Sequence, residues 1–146
     1  MKTMVLFGKS PIEGLRVLYL EDDPVIAISF VEMIEQWGGI VRECNTLDAA
    51  LIALQQGHYD VALLDLNIRG QTSYAVAEAA VDKHAALVFV TGCGRETLLA
   101  EWRHHAVCEK PCSEIDVCRA IGEAIKLLRQ SPHAVAALQS PMMPAA

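Results

Sequence analysis

Polar and charged side chains stand where the apolar runs of this chain end. "RVLYL" runs into Glu21, Asp22 and Asp23, and "VALL" closes on Asp65, with Asn67 two residues later. "LVFV" meets Thr91-Gly92, and the short run 106–109 meets Lys110-Pro111. Carboxylates about 5 Å apart repel by ~3 kcal/mol at an effective dielectric of 20, so a cluster of them needs a cation to offset it. An all-oxygen donor set favours a hard ion such as Mg2+, which keeps waters and leaves positions open for a phosphoryl oxygen. Phosphoryl transfer asks for positioning and for positive charge around the equatorial oxygens. Mg2+, Lys110 and the Thr91 hydroxyl could supply these while Asp65 attacks as the nucleophile. Taken singly, each residue also reads as an ordinary strand end or turn. Only their joint placement argues for chemistry.

The elements between them must bring these residues to one place. Apolar runs at 16–20, 40–44, 60–64, 87–90 and 106–109 read as strands. Between them lie helical patterns. The first, 24–37, has Pro24 in its opening turn, where a missing N–H costs nothing, and Gly38-Gly39 at its end. Thr46 can cap a helix that runs to Gly57. Further helices are expected over 74–83 and about 97–104. Ser113 with Asp116 three residues on forms a capping-box start for a last helix to about Arg129. Strict strand–helix alternation means right-handed crossovers, hence a doubly wound α/β domain with five parallel strands and helices on both faces. In such a sheet, chemistry sits beyond the carboxyl ends of the strands, where strand order reverses. Glu21, Asp22, Asp65, Thr91 and Lys110 all belong to that rim.

Composition narrows the functional classes. At 146 residues one domain is expected, over about 15–130, long enough to bury roughly 70% of its unfolded surface. The charge of −6, with Lys and Arg scattered, argues against nucleic-acid binding. No apolar run approaches the ~20 residues of a membrane span. Residues 1–14 read as a loosely ordered leader, too short in its apolar stretch for a signal peptide, and 131–146 as a flexible tail. Five cysteines without a C-x-x-C fit free thiols in a reducing cytoplasm. "HHAVCEKPC" raises zinc through His104, His105, Cys108 and Cys112. The histidines would stand on the turn before a strand and Cys108 and Cys112 would flank its end, which does not converge four ligands on one point.

Four of these segments together resemble the receiver domain of two-component response regulators. "VLYLEDDP" is similar to its acidic-pair strand, "ALLDLN" to its phosphoacceptor strand, "VFVTG" to its switch-hydroxyl strand and "EKP" to its Lys-Pro turn. The resemblance covers about 15–129. It implies a flavodoxin-like sheet of order 2-1-3-4-5 and phosphorylation of Asp65. It also implies Mg2+ held by Glu21, Asp22, Asp65 and the backbone carbonyl of Asn67, with Thr91, Gly92 and Lys110 around the phosphoryl group. Pro111 becomes a candidate for a cis peptide bond. The implied partner is a sensor histidine kinase or a histidine phosphotransferase, with an unidentified downstream protein and a homodimer left open. "DLNIRGQTSYAVAEA" with "FVTG" further resembles stand-alone alphaproteobacterial receivers, often paired with HWE-class kinases.

Two positions depart from the family pattern. Val107 stands where a Tyr or Phe is usual, and Cys112 follows Lys-Pro where an aromatic or aliphatic residue is frequent. Val107 is stiff at χ1 and cannot sweep between poses as a ring can, so switching is expected in 92–105 instead. Other classes are also compatible with parts of the pattern. A haloacid-dehalogenase-type phosphatase shares a strand-end Asp, a Thr and a Lys, but its nucleophile precedes the acidic pair and is usually followed by a second Asp. A dinucleotide-binding module would need a Gly-rich turn after the first strand. A degenerate receiver that works without phosphorylation would not need Asp22, Asp65, Thr91 and Lys110 together.

Overall fold

The computed structural model describes residues 10–130. Strands β1 (Arg16–Leu20), β2 (Ile40–Cys44) and β3 (Val61–Asp65) alternate with helices α1 (Pro24–Gln36) and α2 (Leu47–Gln56). A two-stranded ribbon, β4 (Asn67–Ile68) and β5 (Gln71–Thr72), then leads into α3 (Tyr74–Asp82), β6 (Ala86–Thr91), β7 (Ala106–Glu109) and α4 (Glu114–Arg129). The main sheet is parallel, in the order β2-β1-β3-β6-β7. Counting only its own five strands, that is the expected 2-1-3-4-5. All residues of β3 and β6 are buried, because both strands are flanked in the sheet and covered on both faces.

One core layer lies under α1 and α4, where Tyr19 stacks on Phe30 with ring centroids 5.2 Å apart. The other lies under α2 and α3 and includes Phe89 and Trp102. The helix starts are fixed by the local signals in the sequence. Thr46 Oγ1 accepts from the Ala49 N–H at 3.1 Å. Ser113 and Asp116 bond reciprocally, at 3.1 and 3.0 Å. Asp23 caps α1, accepting from the Val25 and Ile26 N–H groups. Its carboxylate serves the helix and takes no part in the acidic cluster.

Gly39 links α1 to β2 in a tight corner. A Cβ there would stand 2.6 Å from Ile34 Cγ2 and 3.0 Å from Ile12 Cγ2. Ile12 is 1% exposed, so residues just before β1 already belong to the core. Gly39→Ala should therefore destabilise the fold by about 1–3 kcal/mol through overpacking. Urea unfolding would register this as a lower midpoint, and an unchanged midpoint would contradict it. The expectations for residues 1–9 and 131–146 lie outside the described residues.

The helix expected over 97–104 does not form. The segment contains two 3-10 turns, Arg95–Thr97 and Ala100–Trp102. Guanidinium groups instead bond carbonyls across the segment. Arg95 Nη1 donates to the Arg103 and His105 carbonyls at 2.6 and 2.7 Å. Arg103 donates to the carbonyls of Leu98 and Glu96 at 2.9 and 3.1 Å. Leu98 and Trp102 anchor the segment in the core, a placement set by long-range packing rather than helical periodicity.

Candidate functional site

Four strands deliver polar groups to one end of the sheet. Glu21 follows β1, Asp65 ends β3, Thr91 ends β6 and Lys110 follows β7. Glu21, Asp65 and Thr91 are 2%, 7% and 5% exposed, which sets them apart from ordinary surface polar groups. One carboxylate oxygen each from Glu21, Asp22 and Asp65 lies within 4.8 Å of the others. Lys110 Nζ bridges the cluster, donating to Glu21 Oε1 and to Asp65 Oδ2, each at 3.1 Å.

The electrostatics follow from this crowding. Burial, then the hydrogen bond with Asp65 beside it, push the Glu21 carboxyl up to about 7. Burial would lower Lys110, but its bonds to Asp65 and Glu21 outweigh that and hold it above the usual lysine range. Burial likewise opposes ionisation of Asp22, yet the Arg69 N–H donating to Asp22 Oδ2 at 2.9 Å holds its carboxyl below the ordinary value. Three carboxyl groups crowded around one ammonium form a site that is short of positive charge. All-oxygen donors in that state suit a hard divalent cation.

The Asp22–Arg69 contact was not foreseen from the sequence. Arg69 and Gly70 turn between β4 and β5 with φ of 52° and 82°, the positive pair of a type I′ hairpin turn. The turn points a backbone N–H at Asp22 and sets Asn67 at the start of the ribbon, directly beyond Asp65. Gly70 was the only local signal for it, since strands of two residues carry no readable alternation.

The remaining expected residues lie on the same rim. Thr91 Oγ1 accepts from the Cys93 N–H at 3.1 Å. Gly92 is exposed, with nothing within 4 Å of where a Cβ would stand. The Lys110–Pro111 peptide is cis. Val107 is half-buried against the layer containing Phe89 and Trp102. Aromatic bulk there comes from the preceding loop, where Trp102 stacks on Tyr74 at 5.8 Å and meets Phe89 edge-on at 5.7 Å.

The four side chains weighed for zinc do not converge. His105 packs against Phe89 and Trp102, and burial pushes its pKa down to about 4, with His104 adding to the effect. Among the described residues, the one group of three or more His, Cys, Asp or Glu able to hold a metal ion is the acidic cluster. No helix among the described residues is long and apolar enough to cross a membrane.

A flavodoxin-like parallel sheet with an acidic pocket at its carboxyl edge defines the receiver fold of response regulators, and this chain has it. Its structural neighbours include response regulator receiver domains. SdrG from Sphingomonas melonis Fr1 is 29% identical, with a TM-score of 0.67 over 76% of this chain and 96% of its own. A sensor protein from Polaromonas sp. JS666 is 26% identical, with a TM-score of 0.68 over 79% of this chain and 98% of its own. A response regulator receiver protein from Sinorhizobium medicae WSM419 is 18% identical, with a TM-score of 0.66 over 80% and 98%. No family model matches the sequence, and no curated protein matches it.

Proposed function

We propose that the chain is a phosphoacceptor receiver that takes a phosphoryl group on Asp65 from a sensor histidine kinase or a histidine phosphotransferase. The signal then leaves through protein–protein contact, or the phosphate is drained from another pathway. The observation that carries this reading is the bridge of Lys110 across Glu21 and Asp65 at the end of a buried strand. An HWE-class kinase is the donor favoured by the sequence resemblance, and the cytoplasm the compartment favoured by the free cysteines.

The chemistry follows from the positions of the groups. An Asp65 oxygen attacks phosphorus, its O–P bond forming as the N–P bond to the donor imidazole breaks and the imidazole takes up a proton. β3 is rigid and apolar, so the carboxylate is held at the mouth of the pocket with little freedom to lose. Lys110 stays charged and sits beside Asp65, where it can turn to the arriving phosphoryl oxygens. The Thr91 hydroxyl can donate to another of them. Asp22, Asp65 and the Asn67 carbonyl would hold Mg2+, with Glu21 acting through water; when bound, the ion supplies the positive charge that the carboxylates and the phosphoryl group both need.

Incubating the chain with acetyl phosphate and Mg2+ should add one phosphoryl mass per molecule, and chelation with EDTA should prevent it. Repeated turnover of a small phosphate ester would instead favour the phosphatase reading. A chain that never gains mass would leave only a phosphorylation-independent receiver.

Switching is assigned to residues 92–105. Guanidinium–carbonyl bonds tie this segment to itself and a Leu99 N–H donates to Tyr74 Oη on α3 at 2.9 Å, while Leu98 and Trp102 anchor it in the core. Such contacts can be exchanged without unpacking the core. Amide exchange with and without beryllofluoride should change across this segment, whereas changes confined to α4 would refute the assignment. Arg95→Ala removes two charge-assisted bonds and should speed exchange there about tenfold or more even without beryllofluoride.

A further inference from the structure

The carboxylates of the acidic pocket are held in two different ways. Glu21 and Asp65 accept from Lys110 Nζ, and each also accepts from an N–H two residues on, that of Asp23 at 3.2 Å and that of Asn67 at 3.4 Å. Those two backbone bonds are local and form wherever the strand end forms. Asp22 is bonded instead from far along the chain, by the Arg69 N–H at the tip of the β4–β5 ribbon. Its neighbour Asp23 caps α1 through the Val25 and Ile26 N–H groups. A helix start attracts any carboxylate close to it, and the Arg69 N–H gives Asp22 a partner on the rim.

The ribbon is built so that its turn aims this N–H. Its base is fixed to the sheet, with the Leu66 N–H donating to the Val90 carbonyl and the Ser73 N–H to the Leu66 carbonyl, each at 2.9 Å. Ile68 is 1% exposed in the core layer under α2 and α3. With the base held, the direction of the Arg69 N–H depends on the turn, where Arg69 and Gly70 both have positive φ. A Cβ at Gly70 would meet nothing within 4 Å. The glycine therefore answers a backbone requirement and not a steric one.

We propose that the Arg69–Gly70 turn is the positioning element for the divalent cation and sets the affinity of the acidic pocket. By engaging one oxygen of Asp22 it fixes the carboxylate and leaves the other oxygen for the ion. Arg69 acts through its backbone N–H and touches no reacting atom, so it is a positioning residue. The donor is neutral, which orients the carboxylate without cancelling the charge that draws the ion. Partners that orient metal ligands in this way are worth about tenfold to a hundredfold in metal affinity. The inference rests on the reading of the pocket as a Mg2+ site.

Mg2+ would be titrated into the full chain and into Gly70→Val, Gly70→Asn and Gly14→Val, following the amide signals of Asp22 and Asn67 by NMR with no phosphoryl donor present. Val is strained at positive φ, whereas Asn tolerates it. Gly14 has φ of 78° with nothing within 4 Å of its Cβ position, and it precedes β1, at the other end of that strand from Glu21. Gly14→Val therefore imposes the same backbone strain away from the pocket. The expected result is an affinity lowered about tenfold or more in Gly70→Val, most of it recovered in Gly70→Asn and none of it lost in Gly14→Val. Equal affinity in wild type and Gly70→Val, or an equal loss in Gly70→Asn or Gly14→Val, would overturn the positioning role while the Mg2+ site stands. A wild-type chain that does not respond to Mg2+ would overturn the reading of the pocket itself, and the proposal with it.

Discussion

Asp65→Asn should abolish phosphoryl uptake altogether. The substitution keeps the size of the side chain, so β3 and its packing survive, but it removes the nucleophilic carboxylate and the charge that Lys110 pairs with at 3.1 Å. Intact-protein mass spectrometry after incubation with acetyl phosphate and Mg2+ would find the wild-type chain one phosphoryl group heavier and the variant unmodified. Full labelling of the variant would sink the assignment of Asp65. Lys110→Ala tests the surroundings of the nucleophile. Losing one preorganised positive group around the transferring oxygens should slow uptake by about a hundredfold. A rate within a factor of about two of wild type would mean that Lys110 only neutralises the resting cluster.

The second large effect is on stability and depends on both pH and metal. Burial and the adjacent Asp65 raise Glu21 to about 7 in the folded chain, above the ordinary glutamate value. The folded state therefore holds this proton more tightly than the unfolded chain does. The resulting stability is fully present below the unfolded value and is lost as pH rises through about 7. The linked change is about 3 kcal/mol at most, or on the order of 10 °C in Tm for a domain of this size. The metal-free protein should accordingly melt at progressively lower temperature between about pH 5 and pH 8. Mg2+ should restore much of the loss at pH 8 and do little at pH 5, where protons and the ion compete for the same oxygens. Glu21→Gln should flatten the metal-free pH profile. A profile equally steep in Glu21→Gln would show that another group carries the dependence.

Much of this site was legible because it is written in short-range patterns. An apolar run that ends on Asp65, and another that ends before Glu21-Asp22, mark buried strands and the carboxylates at their carboxyl ends. Thr46, Ser113 and Asp116 announced helix starts that the structure contains, because capping is a contact between residues two or three apart. The segment 95–105 misled for the opposite reason. Its helical spacing of apolar residues is real, but Arg95 and Arg103 capture its carbonyls and Leu98 and Trp102 bury it in another shape.

The sequence by itself determined the five strands of the sheet and four of the five expected helices, and with them which residues lie on the carboxyl rim. That information is local, carried by periodicity, turn residues and caps. Only the tertiary structure decided which contacts hold each acidic residue in place. Asp23 turned away to cap α1, while Asp22 was tied to Arg69, 47 positions along the chain. It also decided that Lys110 spans Glu21 and Asp65, across 89 and 45 positions. Contacts over such separations are fixed by sheet order and crossover packing, which no window of neighbouring residues contains.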